Sequence, residues 1–152
     1  MSKALWDFAV QLYAQPGVET ACLRLQDEHD EDVCLLLCAV WLGWRGVICT
    51  PARCQQLREV AADWQHEVVA PLRALRRRWK VAASQDAGLA ALRQRLTELE
   101  QDAERELLRR LEACCADWPT HASGEPLTWL TRLASPTTCA AELTRLAVAA
   151  GR

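Results

Sequence analysis

The sequence predicts an all-α fold: a compact single-domain array of about six or seven helices around a central apolar helix at residues 33–44. Three observations carry that expectation. Twelve consecutive residues, Val33-Cys-Leu-Leu-Leu-Cys-Ala-Val-Trp-Leu-Gly-Trp44, hold no charge and no hydrogen-bonding side chain except indole N–H groups. Two longer segments, 51–80 and 86–113, carry apolar stripes at helical spacing and are joined closely enough to form a hairpin. No segment shows the sustained apolar/polar alternation of a half-buried strand.

In chain order, Ser2 is placed to cap a first helix with two adjacent stripes, Leu5, Phe8, Ala9, Leu12 and Trp6, Val10, Tyr13, which together imply a wide buried face. Pro16-Gly17 breaks the chain. Val18, Ala21, Cys22 and Leu25 then repeat at helical steps as a second helix, which runs into the acidic residues 27–32. Those acids stand at the positive end of the apolar helix dipole, where Asp30 or Asp32 can cap exposed N–H groups. The apolar helix itself spans only ~18 Å, short of a bilayer core, and so requires a coat from the rest of the chain. Gly43 and Gly46 mark its exit.

Thr50-Pro51 is a helix start, a capping side chain followed by a proline whose missing N–H is harmless there. Cys54, Leu57, Ala61, Trp64, Val68, Leu72, Leu75 and Trp79 then fall within an arc of about 80° on a helical wheel. Pro71 lies inside this pattern and predicts a kink. After residues 84–88 the stripe Leu89, Leu92, Leu96, Leu99, Ala103, Leu107, Leu111 follows at near-heptad spacing, with Asp102–Arg105 and Glu106–Arg110 as surface pairs. Residues 117–126 read as a loop, 127–134 as a short helix, and Ser135-Pro136 as the start of a last helix with Cys139, Leu143, Leu146 and Ala147 inward.

The 152-residue length suits one domain with its own core, and the formal charge of −2 gives no global attraction to nucleic acid or anionic membrane. Asp7 interrupts the N-terminal apolar residues, which argues against a signal peptide, and no run reaches membrane-spanning length. The expected compartment is the cytoplasm, with the eight cysteines reduced and acting as small apolar side chains.

Several of these residues form a recognisable set: Trp6-x-Phe8, Tyr13 with Pro16-Gly17-Val18, Leu23-x-Leu25-Gln26-Asp27, Asp32-Val33-x-Leu35-Leu36-Leu37, Trp41-Leu42 and Pro71-Leu72-Arg73-x-Leu75-Arg76. In them the chain resembles the domain of unknown function 2390 family of bacterial conserved proteins, over residues 4–80 and more weakly to about 113. Cys34 stands where that family often has Asn. The resemblance implies a fold-sized unit and a bacterial cytoplasmic setting, and it brings no activity or cofactor.

Candidate functional groups are few. Asp27, Glu28, Asp30, Glu31 and Asp32 surround His29 and offer an acidic docking surface or a hard-cation site. An EF-hand is excluded because Asp32 stands where its glycine is required, and helix capping is the simplest account. Arg73, Arg76, Arg77 and Lys80 recur at helical steps opposite the apolar arc, with Arg78 to one side, and form a basic stripe. Glu59, Asp63 and Glu67 share that face earlier in the helix, so the face is dipolar. Among the cysteines only the Cys49/Cys54 spacing approaches a zinc pattern, and structural thiols are favoured. His66-Glu67 opens like a zincin motif but lacks the second histidine, since residue 70 is Ala70. Trp6, Trp41, Trp64 and Trp79 read as core, and Trp118 as an exposed contact.

The leading expectation is a non-catalytic protein-interaction or regulatory module. It presents the acidic run and the Arg73, Arg76, Arg77, Lys80 stripe to an unidentified protein partner, without catalytic residues, metal or cofactor. The alternative is a small-molecule-binding or metal-assisted enzyme with a pocket between the apolar helix and the 51–80 helix, using Asp27, Glu31, Asp32 and His66. Nucleic-acid binding through the stripe ranks third, and whether the chain is a monomer or a dimer is left open.

Overall fold

The computed structural model describes residues 3–138 and 140–151. All regular structure among them is helical, as expected. In chain order the helices are α1 (Leu5–Tyr13), α2 (Val18–His29), α3 (Val33–Trp44), α4 (Pro51–Trp64), a π turn (Gln65–Val69), α5 (Ala70–Arg78), α6 (Lys80–Ala83), α7 (Ala87–Cys114), α8 (Pro126–Leu133) and α9 (Ala140–Ala150). The proposed cap Ser2 and the inward Cys139 lie outside the described residues.

Helix α3 is the axis. The Asp32 carboxylate caps it by accepting the Leu35 N–H at 3.2 Å, and residues 34–43 are all buried. Its coat differs in one respect from the expectation of two helices before it and a hairpin after it. The closest neighbour is α8, with Trp129, Leu130 and Leu133 facing the core. That approach depends on backbone meeting backbone. A Cβ on Gly43 would collide with the Glu125-Pro126 main chain, and one on Gly124 with the Gly43 carbonyl. Helix α1 buries only its first stripe, Leu5, Phe8, Ala9 and Leu12, while Trp6 and Val10 stay exposed.

The tryptophans serve the core mainly through their indole N–H groups. Trp41 donates to the Lys3 carbonyl at 2.9 Å, Trp64 to Ala103 at 2.8 Å and Trp129 to Val47 at 2.7 Å, so each buried polar edge is satisfied. Trp118 is no free contact, because it stacks on Trp129 with Arg53 over its ring, which folds the 115–125 loop inward. The final helix of the described residues begins at Ala140, and Ser135-Pro136 form a turn instead of its first turn.

Segments 51–83 and 87–114 form the expected antiparallel hairpin. Its inner half belongs to the core through Cys54, Leu57 and Ala61 on one strand of the hairpin and Leu107, Leu108 and Leu111 on the other. The outer half is a two-helix arm. Neither α5 nor α6 buries a residue, and their backbones approach only each other, the π turn and α7. On α7 the Glu106–Arg110 pair forms at 2.9 Å, whereas Arg105 leaves Asp102 and lies over Trp6.

Pro71 produces its distortion upstream. Its ring nitrogen cannot donate, and the chain answers with the π turn, in which the Ala70 N–H reaches back five residues to the Gln65 carbonyl. One extra residue per turn rotates everything beyond it by about 100°. Leu72 and Leu75, expected on the buried arc, are therefore only half-buried, and Arg73 and Arg76 swing onto the side that faces α7.

Candidate functional site

The acidic run and the basic stripe, 40 residues apart in sequence, converge at one junction between the α2–α3 turn and the root of the arm. Glu100, on α7, sits at its centre and is only 4 % exposed. It accepts the Arg73 Nε–H at 3.0 Å and a hydrogen bond from Arg76 Nε, while Arg73 also reaches Glu104 at 3.5 Å. Burial opposes the charge on Glu100, but the hydrogen bonds from Arg76 and Arg73 prevail and hold its carboxyl below the ordinary range. Glu104 goes the other way: burial, aided by the nearby Glu100 and Asp32 charges, raises it despite Arg73.

The acids of the 27–32 run have separate roles. Asp27 pairs with Arg77 at 3.2 Å on the surface, where such pairs contribute little. Glu28 is exposed. Asp30 closes α2 in the left-handed region at φ 52°. Glu31 accepts from the Ser135 N–H at 2.7 Å and the Thr138 hydroxyl at 2.5 Å, and so fastens the turn before α9. Asp32 combines its cap with a buried Oδ2 that has no hydrogen-bond partner. Burial pushes its carboxyl up to about 6, and the Leu35 N–H, the Gln65 amide and Arg73 offset only part of that cost.

The basic stripe is thereby divided. Arg73 and Arg76 are turned inward against Glu100, Arg77 is tied to Asp27, and Lys80 remains exposed. Asp27, Arg76, Arg77, Lys80 and Arg93 line a shallow basin of about 270 Å³ beside α2. Arg93 closes its far wall by donating to the Arg76 carbonyl at 2.9 Å. With Arg76 held by Glu100 and Arg77 by Asp27, Lys80 and Arg93 give this basin its remaining positive charge, which suits it to an acidic group. His66 stands exposed in the π turn, and among the described hydrogen bonds neither it nor His29 pairs with a carboxylate. The cleft that borders α3 is lined from α1, α2, α3 and α7 and by no residue of the 51–80 helix, against which a pocket was expected. Among the described residues no group of three or more His, Cys, Asp or Glu is arranged to hold a metal ion, and no helix is long and apolar enough to cross a membrane.

Glu100 and Glu104 had not been singled out in the sequence. The regular stripe put Leu99 on the inner seam, yet Leu99 is exposed and Glu100, the next residue, takes the seam between Leu96 and Ala103. The signal that could have found it is the i, i+4 step from Leu96 to Glu100 to Glu104, a pair of acids continuing an apolar row. Arginines displaced from one hairpin helix thus meet a glutamate displaced onto the other.

Comparison with known proteins gives one match. A family model described as a protein of unknown function, DUF2390, covers residues 4–111, which includes the junction and the whole hairpin up to the last turn of α7. No curated protein and no solved structure matches the chain. With more than two thirds of its residues inside that match, the chain belongs to the DUF2390 family.

Proposed function

We propose that this chain is a single-domain, non-catalytic binding module of the bacterial cytoplasm, and that it engages an acidic protein partner through the arm and the basin at its root. The observation that carries the reading is charge segregation on an element the core does not use. Residues 70–97 hold seven cations, Arg73, Arg76, Arg77, Arg78, Lys80, Arg93 and Arg95, against the one acid Asp86, a formal +6. The remaining residues hold eleven cations against nineteen acids, a formal −8. An arm with no buried residue in α5 or α6 contributes little to the core, and Arg78, Lys80, Arg93 and Arg95, which no described ion pair engages, leave its charge open to recognition.

Exposed apolar side chains on the same arm favour a protein over a nucleic acid. Val81 is 79 % exposed, and Leu92 and Leu99 are each 52 % exposed. A protein interface buries such side chains at its centre and places charges around them, whereas phosphates reward the cations alone. The cytoplasmic setting is supported by the described cysteines, all of them free thiols, and the single domain by one core cluster that draws on residues from Leu5 to Ala150.

The test replaces Arg78, Lys80 and Arg95, which have no carboxylate partner among the described ion pairs, with Glu. Proteins retained by the native chain after nuclease treatment should be lost by the triple variant, with its far-UV circular dichroism unchanged. Retention of the same proteins by the variant refutes the reading, and a retained set that vanishes with nuclease assigns the arm to nucleic acid instead.

A further inference from the structure

A second cavity adjoins the basin across Leu23 and Gln26, which line both. Helices α1, α2, α3 and the middle of α7 enclose an open cleft of about 510 Å³, within the range that small organic ligands occupy. Its rim is formed by Trp6, Val10 and Leu23, three large apolar side chains that α1 and α2 leave exposed beside a well-packed core. Three unburied apolar groups around one opening are a feature that folding alone does not require.

The cleft is one-sided in charge. Its ionisable lining groups are the carboxylates Glu19 and Glu104, the phenol Tyr13 and the thiols Cys22 and Cys34, and no Lys, Arg or His lines it. At its edge Arg73 reaches Glu104 from the hairpin, and Arg105 lies 4.4 Å over the Trp6 ring. Burial pushes both Tyr13 and Cys22 up to about 12, with Cys22 and then Glu19 and Glu104 adding to it at Tyr13 and Glu19 at Cys22, and burial likewise raises Cys34 and Glu104. These four groups are therefore harder to ionise than in water, first of all because they are buried. Arg105 over Trp6 further shows that an aromatic face at this rim accepts a cation.

We propose that this cleft binds a small organic monocation, an ammonium group carrying an aromatic or branched apolar body. The cation lies against Glu104 and Glu19, and the body packs among Trp6, Val10 and Leu23. Charge complementarity selects this occupant. An anionic ligand would add to a negative field, and a neutral one would leave Glu19 without a counter-charge among the described ion pairs. The inference is independent of the arm and stands or falls separately from the reading given for it.

Tyr13 is the one tyrosine in the chain, so its ring resonances report on the cleft without ambiguity. The experiment titrates the native protein at pH 7 with benzyltrimethylammonium, benzyl alcohol and benzoate, following Tyr13 and the Trp6 indole by NMR. The ammonium probe should shift both and bind about tenfold more tightly than the alcohol, and benzoate should not bind. Glu104→Gln and, on the exposed helix surface where folding is not at stake, Glu19→Gln should each weaken the ammonium probe several-fold and leave the alcohol unchanged. Equal affinity for alcohol and ammonium, preference for benzoate, or no shift of Tyr13 and Trp6 with any probe overturns the proposal.

Discussion

Arg73 and Glu100 meet at 3.0 Å on a hairpin seam where the sequence offers leucine at the adjacent positions, Leu72 on one helix and Leu99 on the other. A buried ion pair becomes costly when halved, because the remaining charge stays desolvated. Glu100→Ala should therefore destabilise the protein by about 3 kcal/mol. By contrast, Arg73→Leu with Arg76→Leu and Glu100→Leu should come within about 1 kcal/mol of the native chain. Urea midpoints for the two variants distinguish a pair that supports the fold from one that merely tolerates burial. Because Glu100 is held below the ordinary glutamate range, its contribution is complete at neutral pH and is lost as pH falls through the acid range.

Asp32 has the opposite sign. Its carboxyl is raised in the folded state to about 6 from an ordinary value near 3.8, so the folded chain binds this proton more tightly than the unfolded one. The relative stability tied to it is fully present below pH 4 and is lost as pH rises through about 6. Asp32→Asn keeps an oxygen for the Leu35 N–H and removes the buried charge. At pH 7.5 it should be at least as stable as the native chain, and the difference should shrink as pH falls to 4.5. Asp32→Ala loses the cap as well and should be about 1 kcal/mol less stable than Asp32→Asn at both pH values. Thermal melts at the two pH values decide between them.

Gly43 brings the main chain at Pro126 against α3, so a methyl group there must push α8 off the central helix. Gly43→Ala, which improves helix propensity by about 1 kcal/mol on an open helix, should here destabilise the protein by 1 to 3 kcal/mol, an approximate range for overpacking. Gly88→Ala, on the open first turn of α7, serves as the control and should be neutral or mildly stabilising.

Thiol chemistry should follow burial. Cys22, Cys34 and Cys38 all lie in the core, where burial raises them; Cys38 is raised first of all by its hydrogen bond with Cys115. In native protein at pH 8 these three should resist iodoacetamide over a period in which urea-unfolded protein is fully alkylated, as mass spectrometry of the peptides would record. Prompt native labelling of Cys22 would reveal that the cleft beside it opens more widely than the structure shows.

The all-helical class, the central helix and the hairpin were legible in the sequence because each rests on a local pattern: an absence of strand alternation, an uncharged run, two periodic stripes. The DUF2390 membership was legible from scattered motif residues for a similar reason. What escaped was anything set by phase or by tertiary partners. Leu99 and Glu100 are neighbours, and which of them meets the opposite helix depends on where α7 starts its contact, which no wheel drawn on one helix can show. Trp118 was misplaced because the stacking surface that captures it, Trp129, lies on a helix eleven residues later. Glu31 read as a free acid because its partners, Ser135 and Thr138, are more than a hundred residues distant.

The π turn at Gln65–Val69 makes chain length itself a coding element. Upstream and downstream of it the hairpin helix runs on two reading frames of the same periodicity, and the offset between them puts arginine rather than leucine against α7. Deleting His66 would merge the frames without altering a single retained side chain. Arg73 and Arg76 would keep their places against Glu100, because the lost residue and the lost π step cancel in phase; only an α turn at full chain length would bring Leu72 and Leu75 there and dissolve the ion pair. The one residue that the π turn absorbs thus decides which face of the whole arm meets α7, more than any single replacement within it.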